Sequence, residues 1–277
     1  MTENEIRALI SLLDDDDPEV AVLVEQQIKK LGNEAIPVLE NQWQENGLNA
    51  DLQQKIENII HELNFSKVLE RLERWKNNDD RSLLEGLWII ATYQYPDLAL
   101  EYLQKKIYDI YFDVWLEMRE TIHPHDEVRL LNQVFFEKYK FAPNTKNFHS
   151  PTNSMLNQVL ETKKGNPISL CIIYLLVAQK LGMKVYGVNL PNLFVLTYKN
   201  DKTQFYINVF NRGIIFAKKD IDDFIKQLNL EPKDIFYEPC TNLDIIRRVL
   251  RNLIISFEKS AEPEKAKEID QLLKLFL

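Results

Sequence analysis

Several groups of side chains have the types and spacing to do chemistry. His123, His125 and Asp126 fall together in the run HPHD, two imidazoles and a carboxylate that could form part of a metal site. Pro124 between the histidines gives poor ligand geometry. A loop with Asp126 capping a helix that carries Val128, Leu131, Val134 and Phe135 suits the run better. Four consecutive carboxylates, Asp14 to Asp17, could attract a cation, but neighbours in a row point in different directions and read as a solvated helix cap. Arg247, Arg248 and Arg251 form a local basic patch, read as a solvated face, with contact to an anion or acidic partner left open. The two cysteines, Cys171 and Cys240, are too few for a disulfide framework or a cysteine zinc site. No metal and no cofactor is expected.

The elements that must position these groups are mostly helical. Gly is scarce at 7 and Pro numbers 11, a balance that favours helices over a turn-rich sandwich. Hydrophobic residues make up 45% and charged ones 27%, as in a folded globular chain. With 34 basic against 42 acidic side chains the net charge is −8, the wrong sign for neutralising phosphates, so neither nucleic acid nor an anionic membrane is an expected partner. No apolar run is long enough to span a bilayer. The start MTENEIRALI lacks the basic, apolar and small-residue pattern of a signal peptide, so a cytoplasmic location is expected.

Along residues 1–63, helical stripes alternate with short punctuation: Ile6, Leu9, Ile10 and Leu13, then Val20, Leu23, Val24, Ile28 and Leu31, stopped by Gly32. Asp17 before Pro18 is a helix start, and Pro37 sits in the first turn of the next helix. Further stripes are Leu52 to Leu63, Val68 to Trp75, Leu83 to Ile90, and Asp97 to about Met118. LISLLDDDDPEV and GNEAIPVLENQW resemble a HEAT-type helical repeat.

Asn166 and Pro167 then open a helix that is apolar on nearly all sides through Ala178, the mark of a buried central helix, and Gly182 ends it. The period next changes to strands over Lys184–Asn189, Leu193–Tyr198, Gln204–Phe210 and Ile214–Phe216, an antiparallel meander packed on that helix. Asp220 is placed to cap a following helix. Two last helices, Asn242–Lys259 and Pro263–Phe276, form a hairpin. The fold class is therefore α+β and predominantly helical.

The stretch NSMLNQVLETKKGNPISLCIIYLLVAQKLGMKVYGVNLPNLFVL, followed by FYINVFNRG, resembles the SirB-type branch of the transglutaminase-like superfamily, and the terminal hairpin is similar to that family's tetratricopeptide-like end. The resemblance implies three regions: helical and HEAT-like over 1–120, a transglutaminase-like core over 121–230, and the hairpin over 231–277. It also implies a cysteine near the start of the central helix, a histidine on one strand and an aspartate on the next.

Carried over position by position, that site is degenerate. Leu193 stands where the histidine belongs and Asn208 where the aspartate belongs. Leucine carries no proton. Cys171 is the fifth helical residue after the cap, beyond the turn that stabilises an anion, and shares a stripe with Leu175 and Ala178. Ser169 lies in the first turn, where its hydroxyl assists the cap. Among His61, His123, His125 and His149, only His149 is placed to reach the cleft.

The expected function is that of a catalytically degenerate protein working through a protein or peptide partner. One alternative is a cysteine-dependent hydrolase or transamidase using Cys171. The other is a structural adaptor that uses only its helical ends.

Overall fold

Apolar residues three and four apart, interrupted by proline and glycine, account for most helices of the computed structural model, which describes residues 1–15, 17–118 and 122–277. Asp16 of the acidic run, and the regional boundary expected at 120/121, lie outside the described residues. The chain forms two compact units, Met1–Arg71 and Leu72–Leu277.

In the first unit lie α1 (Glu3–Ser11), α2 (Pro18–Leu31), α3 (Ile36–Glu45) and most of α4 (Ala50–Asn77). Thr2 and Glu5 close a capping box on α1, and Asp17 accepts a bond from the Glu19 N–H at 2.9 Å with Pro18 at the first helical position. The other described acids of the run are also engaged. Asp15 accepts from the Asp17 N–H at 2.9 Å, and Asp14 accepts from the Asn49 amide at 2.7 Å. Ile10, Leu13, Ile28, Leu39, Ile56 and Ile59 are fully buried together. The separate stripes 52–63 and 68–75 turn out to be one helix of 28 residues, because nothing between them, neither Gly nor Pro, stops it.

After the end of α4, the second unit continues with α5 (Leu83–Ala91), α6 (Leu100–Trp115) and α7 (Pro124–Asn132), the last running into a π-helical turn over Gln133–Lys138. His123, not Asp126, caps α7: its Nδ1 accepts from the His125 N–H at 3.3 Å. Proline prefers the first helical position, so the helix starts at Pro124 and Asp126 falls inside the first turn, paired with Arg129 at 3.1 Å. A short parallel bridge joins β1 (Ala142–Pro143) to β2 (Lys164–Gly165), flanking α8 (Leu156–Thr162).

Next comes α9 (Pro167–Lys180), with ten buried residues that occupy every side of it. The antiparallel sheet follows in the order β3 (Val185–Leu190), β4 (Leu193–Lys199), β5 (Gln204–Asn208) and β6 (Ile214–Phe216). Side chains alternate across it. Phe194 faces α9, while Val188, Leu190, Val195 and Tyr206 pack on Ile221 and Ile225 of α10 (Lys218–Gln227) on the opposite face. Asp220 does not cap α10 as expected. The helix begins two residues earlier, and the Asp220 carboxylate reaches back to accept from the Ala217 N–H at 2.8 Å. The hairpin of α11 (Asn242–Lys259) and α12 (Pro263–Lys274) completes the unit.

The protein is α+β and predominantly helical. Among the described residues, no helix is long and apolar enough to cross a membrane.

Candidate functional site

The head of α9 is built by amides. Asn166 accepts from the Ser169 N–H at 2.9 Å through its side-chain oxygen, while the Ser169 hydroxyl accepts from the Asn166 N–H at 3.0 Å. The other end of the Asn166 amide donates to the Ser154 hydroxyl at 2.9 Å. Nearby, Asn153 accepts from Asn144 at 2.8 Å and donates to the carbonyls of Asn147 and Phe148 at 2.7 and 3.0 Å. These bonds hold the loop that carries Phe148 and His149 against the start of the helix. The loop composition Asn-Thr-Ser-Pro serves this network, because short amides satisfy backbone groups that no helix or ladder reaches.

A cleft of about 200 Å³ opens there. Its walls are Asn166, Pro167 and Ile168 of the helix start, Phe148 and His149 of the loop, Asn192 and Phe194 at the β3–β4 turn, and Arg248, Asn252, Ile255 and Ser256 of α11. His149 does reach this cleft. The contribution of α11 was not foreseen, although Arg248, Asn252 and Ser256 recur every four residues and so form one polar row along the helix.

The structure brings Leu193 and Asn208 together in one groove but places neither Cys171 nor Ser169 in it. Cys171 is fully buried, its thiol donating to the Phe194 carbonyl at 3.4 Å, and it does not line the cleft. Burial pushes that thiol well above its ordinary range. Ser169 is buried too, its hydroxyl accepting from the Asn166 N–H and donating to the Asn166 carbonyl at 3.2 Å. Leu193 and Asn208 both line a groove of about 220 Å³ on the α10 face of the sheet, with Phe216, Asp220 and Phe224. The Asn208 side chain accepts from the Asn211 N–H at 3.1 Å.

The remaining candidates are accounted for elsewhere. His123 and His125 stack edge to face at 5.1 Å, with His125 on Phe205 at 4.5 Å, and His61 lies in the first unit. Burial and the nearby Asp244 push the Cys240 thiol up to about 12. The basic patch is not one solvated face. Arg247 bonds to Asp244 at 3.4 Å and to the Phe276 carbonyl, Arg248 turns into the cleft, and Arg251 is exposed. Helical spacing explains the split, since successive residues differ by about 100° around the axis. Among the described residues, no group of three or more His, Cys, Asp or Glu is placed to hold a metal ion.

A second polar knot fixes α9 from its flank. The Tyr174 hydroxyl donates to Asn132 at 2.9 Å, and the Asn132 amide donates to the Gly213 carbonyl at 3.0 Å. One side chain of α7 thus ties the central helix to the β5–β6 connection.

The chain is 28% identical over 214 residues to a UPF0162 protein of Xylella fastidiosa strain 9a5c, covering 71% of this chain and 73% of that protein. It is 26% identical over 201 residues to mouse F-box only protein 21, covering 61% of this chain but 32% of that protein. No solved structure matches it. Residues 101–251 match the family described as Transglutaminase-like superfamily. They span more than half of the sequence and include the central helix, the meander and the first part of α11 with Arg248, so the chain belongs to the transglutaminase-like superfamily.

Proposed function

We propose that this chain is a catalytically degenerate member of the superfamily, of the SirB type, and that it acts by binding a protein or peptide partner in the cytoplasm. The observation that carries the proposal is the separation of the would-be catalytic groups. Cys171 is sealed in the core, while residues 193 and 208 face the other side of the sheet. A thiolate nucleophile needs partial exposure and an electropositive setting. Cys171 has neither. His149 lies in the cleft, which favours the hydrolase reading as far as a base is concerned, but neither candidate nucleophile lines it: Ser169 is spent in its cap and Cys171 is enclosed. Losing general-base assistance alone removes about two to four orders of magnitude from such a step.

Binding is supported by what the cleft does hold. Asn192 and Asn252 offer amide donors and acceptors without a charge to desolvate, which suits a peptide backbone. The helices of 1–120, read as HEAT-like, and the tetratricopeptide-like terminal hairpin offer further contact surface.

The reading is tested with a panel of amide and ester substrates. No turnover above background is expected, and turnover that vanishes in Cys171→Ala overturns it. The double variant Leu193→His, Asn208→Asp gains no activity either, since both side chains point to the α10 face. In a companion experiment, iodoacetamide is expected to label Cys171 at least about a thousandfold more slowly in the native protein than in urea, because reaction waits on opening of the core. Labelling faster than that of a free thiol at the same pH marks an activated nucleophile instead.

A further inference from the structure

We propose that the cleft at the head of α9 binds the terminal carboxylate of a peptide, with Arg248 as its counter-ion. This deepens the binding reading above and rests on it only in taking the cleft as a place of contact.

The half-buried Arg248 guanidinium meets only neutral acceptors. Its Nη1 donates to the Asn189 side chain at 2.8 Å and to the Leu190 carbonyl at 3.2 Å. No carboxylate among the described residues forms an ion pair with it, on a chain that carries eight more acids than bases. Arg247, its neighbour in sequence, is matched by Asp244. A partly buried cation normally acquires an anion, because desolvation without one is unfavourable. Both bonds of Arg248 use Nη1, which leaves the Nη2 and Nε donors for a ligand, and these form the planar fork that grips a carboxylate.

The rest of the cleft selects among anions. Arg248 is the only Lys or Arg in its lining, which balances one negative charge and leaves a phosphate dianion under-neutralised. Asn252, one turn along the same helix face, and Asn192 opposite supply groups that pair with the last peptide unit. Phe148, Phe194 and Ile255 give an apolar wall for a terminal side chain. A volume of about 200 Å³ holds one or two residues rather than a long segment.

The experiment titrates the full chain with N-acetylated tetrapeptides ending in Ala, Leu, Phe or Asn, each made as the free acid and as the C-terminal amide. At least one acid is expected to bind, with its amide about tenfold weaker or worse, the factor for losing a charge-assisted hydrogen bond. Arg248→Gln is expected to abolish the preference for the acid. Asn252→Asp, nearly isosteric and so safe for the fold, places a carboxylate one turn from Arg248 and is expected to weaken the acid about tenfold by occupying its partner.

Equal binding of acids and amides overturns the proposal, as does absence of binding, or an Asn252→Asp variant that binds as before. Inorganic phosphate binding more tightly than every acid overturns it as well. Cleavage of a bound peptide during the titration refutes the non-catalytic reading while leaving the carboxylate site standing. Failure of the acids to bind, without cleavage, refutes the site alone.

Discussion

Gly213→Ala is expected to lower the stability of the second unit by about 3 kcal/mol, and urea unfolding followed by near-ultraviolet circular dichroism measures it. Two effects add. Gly213 has φ +71°, where an L-residue carries a backbone penalty of about 1–2 kcal/mol. An added Cβ would also lie 2.0 Å from Asn132 Oδ1, which cannot swing aside without dropping its bonds to Tyr174 and to the Gly213 carbonyl. Gly182 separates the two effects. Its φ is +79° with open space around the missing Cβ, so Gly182→Ala carries the backbone term alone, about 1 kcal/mol. Shortening the obstacle should rescue the larger effect, making Asn132→Ala and Gly213→Ala less than additive together. A Gly213→Ala variant no less stable than Gly182→Ala would show that the Asn132 knot is loose.

The second large effect is expected from Asn166→Ala, at about 2–3 kcal/mol. The cap of α9 accounts for about 0.5–2 kcal/mol of it, and the Ser154 hydroxyl, buried and deprived of the amide that donates to it, for about 1 kcal/mol more. Asn166→Ser divides these contributions, because serine keeps the cap but does not reach Ser154. Its loss should be about half as great. A serine variant as damaged as the alanine one would mean that the Ser154 bond, not the cap, organises the head of the helix. Either variant should also loosen the loop of Phe148 and His149, seen as faster amide exchange in residues 144–150.

The central helix and the meander were legible because their signals are local. An Asn-Pro start, a glycine stop and a helix with no polar side leave little choice, and half of the strand edges fall where expected, the rest within two residues. Misreadings came where a neighbour overrides a local preference. Asp126 and Asp220 are good caps by type, yet each lies inside its helix, one displaced by Pro124 and the other reaching back to Ala217. The cleft was only partly legible. His149 could be placed through the loop before the core, but Arg248, Asn252 and Ser256 arrive from α11, about a hundred residues further along the chain. No pattern in one sequence reports which face of a distant helix closes a site. The direction of Leu193 was equally hidden, since a motif gives a position and not the face of the sheet on which it lands.

The turn at Pro191 and Asn192, which joins β3 to β4 with only two residues, has an evolutionary consequence. Asn192 and Phe194 line the cleft side, and Leu193 between them lines the groove on the other side. Odd and even positions of this hairpin therefore belong to different sites, and a point mutation changes chemistry at a position without changing its parity. Returning a proton carrier to the thiol side through residue 193 would take an inserted or deleted codon in the turn. That frame change would exchange every inward and outward side chain of β4 at once. The apolar residues of both layers would then select against it. Substitution at residue 193 alone therefore leaves it apart from Cys171, whatever amino acid occupies the position.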